Sequence, residues 1–105
     1  MKICIPTNKT DFNSAISPIF GRAPYFLIAD LENKNFKFVK NRATKFIRGA
    51  GIAAAQTVVS EKVKLVIVGN IGPRAKVVLE QSGIKVISNI TGTVKEVLER
   101  FKKED

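Results

Sequence analysis

The sequence predicts a single α/β domain built on a mixed five-stranded sheet with three helices. Three observations lead there. The chain has 105 residues, of which 45% are hydrophobic, enough for one core and too few for two. Its first 40 residues hold three short strand-like runs in a meander. From residue 49 onward, helical and strand-like segments alternate. Such alternation implies parallel strands joined by right-handed crossovers, so the sheet combines both pairings.

Each element has a local reason. Residues 2–6 form a short apolar run with Ile3 and Ile5 on one face. Residues 7–20 are a polar, then proline-bounded loop. Phe26, Leu27, Ile28 and Ala29 make a second strand over residues 25–31. Glu32-Asn33-Lys34-Asn35 is a turn rich in residues that tolerate turn geometry. Residues 36–40 alternate, with Phe36 and Phe38 expected on the core face and Lys37 on the other.

Residues 41–48 read as a basic loop. Ala53, Ala54 and Ala55 favour a helix over residues 49–62. Lys64-Leu65-Val66-Ile67-Val68 is a buried strand. A second helix covers residues 73–82, with Pro73 at its first position and Gly83 just past its end. Residues 84–87 give the fifth strand. Thr93 and Glu96 have capping-box spacing, and Val94, Val97, Leu98 and Phe101 follow at helical spacing. The order is β-β-β-α-β-α-β-α, with no internal repeat, linker or low-complexity segment.

The charge is the main anomaly. The net charge is +9 and the pI is near 10. Between residues 33 and 60 there is no acidic residue, while Lys34, Lys37, Lys40, Arg42, Lys45 and Arg48 all fall there. This favours anionic partners: nucleic acid, an anionic small ligand or an acidic protein. No run approaches the roughly 20 apolar residues of a membrane span, so no membrane partner is expected. Met1-Lys2 leads into a strand-like run with no cleavage site, and a lone cysteine cannot form an internal disulfide. A cytoplasmic location is expected. Histidine is absent, which removes the usual general base near neutrality and a common metal ligand.

Several motifs could carry chemistry. In Ser17-Pro18-Ile19-Phe20-Gly21-Arg22-Ala23-Pro24-Tyr25-Phe26, the prolines rule out regular structure around the glycine and arginine. Gly21 can take positive φ, and Arg22 then offers a planar fork of donors. Ligands of open α/β sheets bind beyond the carboxyl ends of the parallel strands, here Pro6-Thr7, Gly69-Asn70 and Ser88-Asn89. Gly69-Asn70-Ile71-Gly72-Pro73 joins a strand to a helix whose first N–H groups aim at that crevice. Gly69 and Gly72 are read as allowing tight turns, and Asn70 adds a side-chain donor and acceptor. Gly49-Ala50-Gly51-Ile52-Ala53-Ala54 has the glycine spacing of a dinucleotide fingerprint but lacks its preceding first strand and later acidic residue. Preceded by Arg48, it is instead a helix start suited either to an anion or to close helix–sheet packing.

Cys4 lies within the first strand, where a buried structural thiol competes with a role as metal ligand. Asp11, Asp30 and Glu32 are too spread for paired-metal hydrolysis. Ser14, Ser17 and Ser88 have no histidine to activate them. No enzymatic activity is expected.

Five of these segments together resemble the dinitrogenase iron-molybdenum cofactor-binding family. They are Met1-Lys2-Ile3-Cys4-Ile5-Pro6-Thr7, the 17–26 segment, Gly49-Ala50-Gly51-Ile52-Ala53-Ala54, Gly69-Asn70-Ile71-Gly72-Pro73 and Thr91-Gly92-Thr93-Val94. The resemblance runs, in order, from about residue 1 to about residue 100. It implies a ribonuclease H-like arrangement with strand order 3-2-1-4-5 and strand 2 antiparallel. It also implies a non-enzymatic accessory protein of nitrogenase cofactor biosynthesis, binding iron-molybdenum cofactor or a related metal-sulfur cluster and meeting a protein partner in cofactor assembly. The site it implies comprises Phe20, Gly21, Arg22, Arg48, Gly49, Gly51, Asn70, Gly72, Thr91 and Gly92, with Cys4 as a metal ligand. Family members commonly carry histidine where this chain has Ile19, and others near residues 45–48. Their absence implies loose binding or divergence to another anion. The alternatives are a nucleic-acid or acidic-protein binding module using residues 34–48 and a protein–protein regulatory module pairing through the hairpin edge.

Overall fold

A five-stranded sheet in the order β3-β2-β1-β4-β5 separates two helical layers in the computed structural model, which describes residues 1–102. The elements are β1 (Lys2–Thr7), β2 (Tyr25–Asp30), β3 (Asn35–Lys40), α1 (Ala50–Ser60), β4 (Leu65–Ile67), α2 (Pro73–Gln81), β5 (Lys85–Ile87) and α3 (Val94–Lys102). β2 runs antiparallel to β1 and β3, while β1–β4 and β4–β5 pair in parallel. The strand order and the antiparallel second strand are those expected.

The two-residue period of β1 divides the core. Cys4 points to the side of α1 and α2, into a cluster with Phe26, Ile28, Val58, Val66 and Leu79. Ile3 and Ile5 point to the α3 side, among Leu27, Ile67, Val94 and Val97. β1 is therefore buried on both faces, as a central strand with a parallel neighbour must be.

Small residues let α1 and α2 pack closely. A β-carbon on Gly51 would stand 3.4 Å from that of Ala75, an ordinary contact, so Gly51 and Ala75 mark where the helices meet. Pro73 occupies the first turn of α2, and Gly83 takes φ +80° just past its end. β4 ends one residue before Val68. The Val68 N–H still donates to Ile87 at 2.9 Å, so pairing continues as the strands diverge.

Phe36 and Phe38 share the α3-side face of β3 as expected, but that face is only partly covered. Phe36 is 55% exposed, and only Phe38 packs against the α3-side core. β3 is an edge strand at the rim of the sheet, so α3 cannot cover its first residues. Phe36 instead meets Phe12 edge to face, with ring centroids 4.8 Å apart.

The start of α3 is fixed by a reciprocal cap. The Thr93 N–H donates to Glu96 Oε1 at 3.0 Å, and the Glu96 N–H donates to Thr93 Oγ1 at 3.1 Å. The Thr93 N–H, and after it the Thr93 hydroxyl, hold the Glu96 carboxyl below the usual glutamate range. A lowered folded-state value stabilises above the unfolded value, and the gain disappears as pH falls through the folded one. The urea-midpoint difference between wild type and Glu96→Gln should therefore be constant near neutrality and shrink on acidification below about pH 4.3. A difference independent of pH would contradict the cap.

Candidate functional site

The carboxyl ends of β1, β4 and β5 lie along one edge of the sheet, where the chain leaves β1 for β2 on one side and passes from β4 to β5 on the other. A strap crosses that edge. The Ser17 N–H donates to Pro6 at 2.8 Å, Asn70 N–H to Pro18 at 2.8 Å and Phe20 N–H to Asn70 at 2.9 Å. Ile19 and Asn70 thereby form an isolated parallel bridge. Gly69 permits this crossing, since a β-carbon there would stand 2.9 Å from the Pro18 carbonyl oxygen. Close approach, and not positive φ, is what requires glycine at 69.

The strap divides the edge into two clefts. One, of about 300 Å³, lies at the starts of α1 and α2, with Gly21, Gly49, Gly51, Gly72 and Arg74 among its lining residues. The other, of about 640 Å³, is mostly apolar and lined by Ile16, Pro18, Gly69, Asn89, Thr91 and Gly92, among others. The expected site residues thus separate. Phe20, Gly21, Gly49, Gly51 and Gly72 line the first cleft, and Thr91 and Gly92 line the second. Asn70 stands between them, its backbone spent on the strap. Arg22 and Arg48 are exposed beside the first cleft without lining it.

The first cleft is electropositive by construction. The first intrahelical bond of α1 runs from Ala53 to Gly49 at 2.9 Å, so the N–H groups of Ala50, Gly51 and Ile52 precede it. In α2 the corresponding bond runs from Lys76 to Gly72 at 3.1 Å, leaving those of Arg74 and Ala75. Neither cap residue, Gly49 or Gly72, has a side chain to accept from these donors, and neither first turn contains an acid. Two helix N-termini with their positive ends unmatched therefore meet in one cleft. A β-carbon at Gly49 or Gly72 would meet nothing within 4 Å, so both look onto open space.

Two glycine expectations change. Gly21 sits in a 3-10 turn (Phe20–Arg22) and does not adopt positive φ. Its role is contact, for a β-carbon there would come within 3.0 Å of Gly51 Cα. Gly72 is extended at φ −71°, a conformation open to any residue, so it forms no glycine-dependent turn.

The guanidinium of Arg22 turns toward its own chain. Nη1 donates to the carbonyls of Thr44 at 2.8 Å and Phe46 at 3.1 Å, tying the basic loop to the glycine turn. Asn41, buried, completes the tie. Its Nδ2 donates to Ala23 at 2.8 Å, and its Oδ1 accepts from the Ala43 N–H at 3.0 Å.

Cys4 does not reach either cleft. It has no exposed surface, and burial, followed by the charge of Glu61, raises its thiol pKa far above the ordinary range. As a metal ligand at the crevice it is ruled out by position. Among the described residues, no group of three or more His, Cys, Asp or Glu side chains could hold a metal ion.

The sequence reading missed Arg74, and marked Asn89 as a strand end without giving it a role. Arg74 follows Pro73 at the second position of α2, and an arginine there was a legible signal. Asn89 takes φ +64° at the exit of β5, its N–H donating to Gly69 at 2.7 Å. A separate hollow between the β2–β3 turn and α3, lined by Phe12, Phe36 and Lys95 among others, lies at the opposite end of the sheet.

The sequence profile described as dinitrogenase iron-molybdenum cofactor matches residues 1–104. The chain belongs to the dinitrogenase iron-molybdenum cofactor family. A family relative, an uncharacterised protein of Methanocaldococcus jannaschii, is 36% identical over 104 residues, covering 96% of this chain and 85% of its own. The family fold recurs in the apo form of the orange protein from Desulfovibrio gigas. The TM-score is 0.93 at 30% identity, over 98% of this chain and 88% of that one. It recurs in a Thermotoga protein provisionally described as a NifB protein of the DUF35 family. There the TM-score is 0.84 at 34% identity, over 97% and 87% of the two chains.

Gly69→Ala should lower stability by about 1–3 kcal/mol, because the strap must move off Asn70. Gly49 and Gly72 lack such contacts, so a Gly72→Ala control should change stability by less than about 0.5 kcal/mol. Denaturant titration reads both. Thiol-reagent labelling of Cys4 should occur at the rate of global unfolding; fast labelling of the native protein would place the thiol elsewhere.

Proposed function

We propose that this protein is a non-enzymatic carrier for an anionic metal-sulfur species related to iron-molybdenum cofactor, held in the cleft between the starts of α1 and α2. The supporting observation is the meeting there of two helix N-termini without caps or acids, flanked by Arg74. The N–H groups of Ala50, Gly51, Ile52, Arg74 and Ala75 would hold the anion, with Arg22 and Arg48 contributing longer-range attraction. Thiolate and imidazole ligation play no part in this reading, since the thiol is buried and histidine is absent. The cluster is cargo, bound as an anion and released as one. Thr91 and Gly92, across the strap, would meet only a ligand large enough to span both clefts.

The disposition of the acids supports a non-enzymatic role. Asp11 Oδ1 accepts the N–H groups of Asn13 and Ser14 at 2.9 and 2.8 Å. Asp30 is engaged by Asn33, and Glu96 by the α3 cap. These carboxylates serve local turns and caps.

Tetrathiomolybdate, a simple anion of molybdenum and sulfur, tests the reading, with sulfate as a control. Gly72→Asp separates binding from folding. Aspartate at the α2 cap should raise stability by a few tenths to about 1 kcal/mol while placing a negative charge in the cleft. Titration should show affinity for tetrathiomolybdate falling about tenfold or more in a protein that melts no lower than wild type. Equal affinity in the two proteins, or no binding by wild type, would overturn the assignment.

A further inference from the structure

The basic loop between β3 and α1 ends in a feature that the anion cleft does not use. Ile47 is 95% exposed, and its neighbour Phe46 is 48% exposed. Single exposed apolar residues are ordinary. Here two large ones stand side by side, at the tip of a loop anchored from both sides. Arg22 holds the carbonyls of Thr44 and Phe46, and the Phe46 N–H donates to Ala43 at 3.0 Å. Asn41 pins the base of the loop to Ala23. The display is thus preorganised, which lowers the entropy cost of binding through it.

The surroundings of this tip are cationic. Arg42, Lys45 and Arg48 flank it, and no acid occurs from residue 33 to residue 60. Among the described residues none of these three cations forms an ion pair; the side-chain pair of this segment is Lys37 with Glu61, at 2.7 Å. We propose that residues 42–48 dock a partner protein carrying an apolar socket with an acidic rim, with Phe46 and Ile47 as the anchors. A second copy of this chain is disfavoured, because two such loops would oppose like charges. Single-stranded nucleic acid calls for stacking platforms, whereas the most exposed group here is aliphatic, and duplex binding through phosphates would leave Ile47 without a role.

The loop runs directly into Gly49, which lines the anion cleft, and Arg22 follows Gly21, which lines it too. A protein seated on Phe46 and Ile47 would therefore stand over the cleft mouth. Transfer of cargo as the purpose of this contact rests on the carrier reading; the contact itself does not.

The test begins with a photo-crosslinking residue at Lys45, on the rim, in cells of the source organism. The captured protein is then purified and titrated against wild type, Ile47→Ser and Ile47→Asp at salt from about 0.05 to about 0.5 M. The expected result is an acidic protein whose affinity weakens with salt and falls about tenfold or more in both variants. Ile47 contributes nothing to the core, so both variants should fold, as circular dichroism would verify. The tetrathiomolybdate affinity of the neutral Ile47→Ser variant should equal that of wild type, which separates failure of docking from failure of the carrier reading. No adduct would overturn the proposal. So would an adduct to nucleic acid or lipid, or a captured protein that binds both variants as well as wild type.

Discussion

The strap across the carboxyl edge of the sheet is the constraint on which the rest depends. The N-terminal meander and the C-terminal βαβ units meet along the short β1–β4 pairing, in both core clusters and where residues 12–16 bond to Gly92, Val94 and Lys95. Hydrogen bonds among Pro18, Phe20 and Asn70 add the attachment that lies where ligands of open sheets bind. That attachment requires backbone-to-backbone contact at Gly69. Once made, it fixes the 3-10 turn at Phe20–Arg22, and the turn sets Gly21 against Gly51 and aims Arg22 at the basic loop. The division of the edge into two clefts follows from the same crossing.

The chemistry follows from the packing. Gly21, Gly51 and Ala75 are small because a turn and two helices converge on them. Convergence brings the N-terminal ends of α1 and α2 to one cleft, and the missing caps and acids leave their dipoles unmatched. Close packing and anion binding are consequently not competing explanations of these glycines. Gly21 and Gly51 serve the packing, whereas Gly49 and Gly72 border open space. Gly49 is held to glycine by its left-handed φ of +72°, whereas no steric or dihedral constraint requires glycine at Gly72, where it leaves the α2 donors uncapped.

Much of the fold was legible because hydrophobic period and turn chemistry agree along most of the chain. The central strand, the Pro73 and Gly83 boundaries and the Thr93–Glu96 cap are local signals, and they survive into the structure. Phe36 misled because alternation reports which face a residue takes and says nothing of how far a covering helix reaches. Gly21 and Gly69 misled for another reason: the sequence shows a glycine but not whether a dihedral angle or a neighbouring backbone demands it. The site was legible as an edge and not as two clefts, since the strap depends on hydrogen bonds between residues some fifty apart in sequence. Arg22 illustrates the same limit, its donors being committed to carbonyls that no local pattern could have placed beside it.

The character of the site bears on how a carrier must work. Side-chain thiolates and imidazoles form directional bonds to metals and release them slowly, whereas backbone N–H groups bind the outer face of an anion through charge and hydrogen bonding. On the carrier proposal, a cleft of the second kind, open to solvent and bordered by glycine, would give moderate affinity and quick exchange. It would pass its cargo intact, because no ligand in the cluster has to be replaced. The positive charge would then have two separable uses. Near the helix starts it would select an anion, and on the 42–48 loop the docking partner proposed for it. The bonds from Arg22 to Thr44 and Phe46 join the two, since the residue after the cleft-lining Gly21 is the one that holds the loop in place.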